Sequence, residues 1–103
     1  MTTTTPAKKY SLKVYWSEES LLLGVDRLYN TSRSPITDYF NWPKENAWES
    51  LKVQLEKKEW IDQHERYSLL QHATDVINFW QQKKENPSVE GAREKFPEVL
   101  FVT

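Results

Sequence analysis

Six apolar residues, Leu69, Leu70, Ala73, Val76, Ile77 and Trp80, fall within about 120° of one another when plotted at 100° per residue. A stripe that wide makes this segment an amphipathic helix with one face to bury. The rest of the chain must therefore supply a layer to receive it. The helix opens at Asp62, which has Glu65 three residues on in a capping-box arrangement, and Asn86-Pro87 closes it.

The receiving layer is readable near the start. From Tyr10 to Trp16 residues alternate, with Tyr10, Leu12, Val14 and Trp16 on one side and Ser11, Lys13 and Tyr15 on the other. A polar break, Ser17-Glu18-Glu19-Ser20, follows; Leu21, Leu23 and Val25 then alternate with Leu22, Gly24 and Asp26. The pattern predicts a β-hairpin, with Gly24 marking a close backbone approach or a bulge. From Asn30 to Pro43 periodicity dissolves into a long loop, of a length that in compact domains is functional or disordered.

A first helix is predicted from Asn46, with Glu49 completing its cap and Trp48, Leu51 and Leu55 as its apolar stripe. Trp60 and Ile61 precede the second cap, Ile61 in the position of a hydrophobic staple. Ser88 caps a short third helix with Val89, Ala92 and Phe96 toward the core, and Pro97 stops it. The tail from Glu98 to Thr103 reads as a terminal strand available to join the hairpin. The expected fold is α+β: a small N-terminal β-hairpin, antiparallel, with two main helices and a short third helix packed on one face. Residues 1–9 are expected to form a flexible N-terminal tail and residues 10–103 a single globular domain.

Composition narrows the function. The mean hydropathy of −0.79 would suit a disordered chain, but five Trp, five Tyr and four Phe in 103 residues supply buried area that disordered segments lack. Two glycines, Gly24 and Gly91, far apart, rule out a P-loop and a dinucleotide fingerprint. With no cysteine there is no disulfide framework, thiolate metal site or cysteine nucleophile. His64 and His72 stand eight apart, not the three or four that would bring two ligands together on a helical face, and no third ligand is implied, so no metal site is expected; no glycine flanks a serine as a nucleophile elbow needs. No apolar run is long enough for a membrane span. No catalytic residue, cofactor or small-molecule substrate is nominated.

The net charge of −1 argues against strong autonomous nucleic-acid binding. It is unevenly spread: residues 1–44 hold six basic and four acidic residues, a balance of +2, which leaves −3 for the rest. Lys8, Lys9 and Lys13 lie in a stretch without any acid, and with Arg33 and Lys44 they are the candidate phosphate contacts, since long basic side chains can reach nucleic-acid phosphates without reading sequence. Tyr39-Phe40-Asn41-Trp42-Pro43 admits two readings, rings that stack on unpaired bases or rings that anchor the long loop to the hairpin. The small size of the domain favours the anchor. Arg66, at the edge of the second helix's stripe, is read as a snorkelling side chain and not a ligand.

Several words rich in Trp and Pro carry a resemblance: Ser11-Leu-Lys-Val-Tyr-Trp16, Ser34-Pro-Ile-Thr37, Tyr39-Phe-Asn-Trp-Pro43, Ala47-Trp48-Glu49, Trp60-Ile61, Ala73-Thr74 with Val76-Ile-Asn78 and Trp80, and Lys95-Phe-Pro97. In this order they resemble the plastid-specific ribosomal protein three family of chloroplasts and cyanobacteria. The resemblance implies a non-catalytic structural component of the small (30S) ribosomal subunit, with ribosomal RNA and neighbouring ribosomal proteins as partners. It assigns no RNA contact by residue, so the basic candidates rest on charge alone. With Met1 followed by no apolar leader, the expected location is the cytoplasm of a cyanobacterium or, for a plastid-encoded chain, the stroma. The alternative from another class is a protein-interaction adaptor unrelated to translation, with Trp42 or Trp60 as its exposed anchor.

Overall fold

The computed structural model describes residues 9–82 and 88–103. Lys8 and the Asn86-Pro87 stop lie outside the described residues. The elements run β1 (Tyr10–Trp16), β2 (Leu21–Leu28), β3 (Arg33–Pro35), β4 (Phe40–Trp42), α1 (Ala47–Glu56), α2 (Gln63–Trp80), α3 (Val89–Lys95) and β5 (Leu100–Val102). They build the α+β fold expected, a sheet with helices on one face.

The sheet is mixed and not purely antiparallel. β1 and β2 pair antiparallel from Tyr10↔Arg27 to Trp16↔Leu21, whereas β5 joins the other edge of β1 in parallel, Val14 opposite Phe101. The long loop contributes two strands that no alternation announces. β3 pairs with the end of β2 through Arg27↔Ser34, and β4 with its start through Leu22↔Asn41. Three-residue strands are too short to show a period and take their geometry from the longer strand they dock on.

The hydrophobic pattern falls where it was read. Leu12, Val14, Leu21, Leu23 and Val25 on the helix-facing side are fully buried, with Leu51 and Leu55 from α1 and Leu69, Ala73, Val76, Ile77 and Trp80 from α2. Phe40 and Trp42 pack on this core partly buried, which is the anchoring role for the aromatic loop. Trp48 is likewise only partly buried, and its indole N–H donates to the Leu70 carbonyl at 3.2 Å, fastening α1 to α2. Trp80 does the same at the far end of α2, donating to the Ser17 carbonyl at 2.8 Å.

All three caps form. Asn46 accepts from the Glu49 N–H and Ser88 from the Gly91 N–H, each at 3.1 Å; Asp62 accepts from His64 at 3.4 Å and not from Glu65. Ile61 is buried beneath the second cap. The Arg66 guanidinium reaches back to the Glu56 carbonyl at 3.4 Å, so its polar end closes the end of α1. Among the described residues, no helix is long and apolar enough to cross a membrane.

A candidate nucleic-acid interface

Among the described residues, no helix packs on the opposite face of the sheet. Strand register puts Ser11, Lys13 and Tyr15 of β1 there beside Asp26, Gly24 and Leu22 of β2. Tyr39 folds its ring across Gly24: a Cβ at that position would meet Tyr39 Cδ1 and Cε1 at 2.6 Å. Gly24 is therefore a close approach and not a bulge. The same ring meets Tyr15 edge-on at 5.3 Å, and the Lys13 ammonium lies 5.2 Å from the Tyr15 ring centre. A hydrogen bond to Tyr15 lifts the Lys13 ammonium above the usual lysine range, and burial pushes the Tyr39 phenol up. Both groups accordingly keep their neutral-pH forms, cationic and uncharged.

Arg33 lies on this face too. Its Nε donates to Asp26 Oδ2 at 2.8 Å, while Asp26 is almost wholly buried. Arg33 is thus committed to neutralising a buried carboxylate. Lys9 is exposed, and its carbonyl accepts from the Leu28 N–H at 2.7 Å, which sets it at the same end of the sheet as Arg33, the partner of Leu28 across β3. Lys13 lies farther along the sheet, opposite Gly24. Lys44, exposed in the turn after β4, belongs to the opposite end, because Trp42 already pairs with the first residue of β2. The structure therefore groups Lys9 with Arg33, sets Lys13 midway and leaves Lys44 apart.

That first end holds residues that charge counting along the chain passes over. Arg27 stacks over Tyr10 at 5.9 Å and Tyr29 at 5.6 Å; Tyr10 meets Trp60 at 5.9 Å, and Lys58 lies 6.0 Å from the Trp60 ring. Trp60 and Tyr29 remain 56% and 54% exposed, whereas Trp42 is half-covered by the core. Lys57 and Lys58 also line a cleft of about 430 Å³ against Pro35, Ile36, Thr37 and Asp38. The available signal was the aromatic-plus-cation composition of two segments, Arg27-Leu28-Tyr29 and Lys57-Lys58-Glu59-Trp60. Only folding joins them.

His64 is exposed, and His72 Nε2 lies 3.1 Å from Glu98. Among the described residues no group of three His, Asp or Glu is arranged to hold a metal ion.

Residues 36–83 match the family described as plastid and cyanobacterial ribosomal protein (PSRP-3 / Ycf65). The chain is also similar to the small ribosomal subunit protein cS23 of Gracilaria tenuistipitata var. liui, 44% identical over 94 residues, covering 91% of this chain and 95% of the relative. It is 46% identical over 96 residues to the cS23 of Mesostigma viride, covering 93% of this chain and 78% of that one. It is 44% identical over 93 residues to a probable cS23 of Synechococcus sp. (strain JA-2-3B'a(2-13)), covering 90% of this chain and 94% of the relative. At this identity over nine-tenths of its length, the chain belongs to the plastid and cyanobacterial ribosomal protein family PSRP-3 / Ycf65, a family of ribosomal proteins and not of enzymes.

Proposed function

We propose that this protein is a structural component of the small (30S) ribosomal subunit, resident in the cyanobacterial cytoplasm or the plastid stroma. There it holds ribosomal RNA and neighbouring ribosomal proteins in place and so contributes to translation. The observation that carries the reading is similarity along nearly the whole length to relatives named small ribosomal subunit proteins. The basic end of the sheet supports RNA as a partner. With a net charge of −1 the protein docks on an assembled surface and does not capture free RNA by charge alone. Lys9 and Lys13 are its phosphate contacts from the earlier set, Lys8 and Lys44 remaining candidates on charge. Arg33 contributes through whatever its guanidinium offers beyond Asp26.

The test is sucrose-gradient fractionation of native lysate at low magnesium, which separates the subunits, with immunodetection and a salt-wash series on the small-subunit pool. Near-stoichiometric recovery in that pool, lost as salt rises, is expected. Recovery at the top of the gradient under gentle salt would overturn the reading and favour an adaptor anchored by Trp60, the more exposed of the two tryptophans considered for that role.

A further inference from the structure

The contacts Lys58–Trp60–Tyr10–Arg27–Tyr29 form a continuous run of two cations and three rings at one end of the sheet. Its members come from β1, from the end of β2 and the turn after it, and from the connection between α1 and α2. The inner ring, Tyr10, is buried and serves as the floor. The outer rings, Trp60 and Tyr29, are more than half exposed, an unfavourable arrangement for large apolar surfaces unless something covers them.

The charges around them point to what that is. Neither Arg27 nor Lys58 makes an ion pair among the described residues. The acid beside Arg27 in sequence, Asp26, is taken by Arg33 on the opposite face of the sheet, and Asp62 caps α2. Glu59, next to Trp60, and Asp38, which shares the cleft with Lys58 and accepts from Gln54, are exposed acids nearby, and Glu65 lines a hollow with Tyr10. Arg27 is held between two rings and so is oriented before any ligand arrives, which lowers the ordering cost of binding. Exposed rings flanked by cations that form no ion pair among the described residues match a nucleotide in both of its halves, an aromatic base and an anionic phosphate.

We propose that this run grips an unpaired nucleotide of RNA, its base stacked on Trp60 and the adjoining phosphates held by Arg27 and Lys58, with Tyr29 flanking the strand. The proposal rests on the reading that the protein docks on ribosomal RNA and names the part that does so.

The experiment uses small ribosomal subunits stripped of this protein by a high-salt wash and rebound with purified full-length variants. Failure of the wild type to rebind would remove the ribosomal reading itself. With wild-type rebinding established, Trp60→Ala is expected to weaken affinity about tenfold to a hundredfold and Trp60→Phe to restore most of it. Arg27→Gln and Lys58→Gln should each flatten the salt dependence by roughly the share of one phosphate. Thermal melts of each variant identify any loss that is one of folding, since Tyr10 leans on Trp60 and Arg27; Tyr29→Ala, at an exposed turn, is the variant least exposed to that confusion. Ultraviolet cross-linking of the rebound particle should yield nucleotide adducts on peptides containing Trp60 or Tyr29. Rebinding of folded Trp60→Ala and Tyr29→Ala at wild-type affinity would overturn the proposal. So would chemical cross-links that tie these peptides to another protein in the absence of nucleotide adducts.

Discussion

Arg33 Nε lies 2.8 Å from Asp26 Oδ2, and the other carboxylate oxygen, Oδ1, is buried with no hydrogen bond from the described residues. A carboxylate so placed depends on its one cation. Arg33→Met should destabilise the fold by about 2–3 kcal/mol in urea unfolding, and Asp26→Leu in the same chain should recover much of that. Equal stability of wild type and Arg33→Met would show that the pair contributes nothing. Gly24 offers a second test, because the Tyr39 ring occupies the space of its missing side chain. Gly24→Ala should cost about 1–3 kcal/mol by displacing that ring, and almost nothing when Tyr39 is already alanine. Additive costs would mean that backbone and not ring contact sets the effect. The first role was not legible in sequence, where Arg33 reads as a candidate phosphate contact; the second was legible in part, since Gly24 reads as a close approach or a bulge, but no local pattern names its partner fifteen positions on.

At the scale of the element, what was legible is what neighbouring residues determine among themselves. Asn46, Asp62 and Ser88 announce helix starts because a cap satisfies N–H groups two or three residues away, and the stripes of α1 and α2 follow from helical geometry alone. β3 and β4 were not legible, since three residues in a strand have no period and their pairing is supplied by β2. The parallel entry of β5 was hidden for the same reason: which edge a terminal strand takes, and in which direction, depends on where α3 leaves it. Trp48 shows the limit of reading a stripe. It was placed in the core by spacing, but in the structure it is a half-covered clamp whose indole donates to the Leu70 carbonyl, which also accepts from Thr74 Oγ1 at 3.0 Å. Trp48→Phe, which keeps the ring and leaves the carbonyl its second donor, should therefore cost no more than about 1 kcal/mol. Trp48→Ala should cost about 2–4 kcal/mol. Denaturant midpoints of the two variants check this, and equal losses would mean that the hydrogen bond, not the packing, holds α1 to α2.

For the whole molecule, the charge division drawn along the chain, +2 before residue 45 and −3 after it, does not survive folding as a division in space. Lys57 and Lys58 belong to the acidic half by position, yet they line the cleft against Pro35 to Asp38, at the end of the sheet where Lys9, Arg27 and Arg33 lie. Lys44 belongs to the basic half and sits at the other end. The contact that decides this, Tyr10 against Trp60, joins positions fifty residues apart and has no signature in local composition. If this end faces RNA, salt sensitivity should follow place in the fold and not place in the sequence. Lys9→Glu combined with Lys57→Glu should lower the slope of log affinity against log salt by about 1.5 for rebinding to stripped small subunits, because each lost phosphate contact removes just under one released counterion. Lys44→Glu should leave that slope unchanged. The reverse order, with Lys44 carrying the salt dependence, would turn the molecule end for end on its partner.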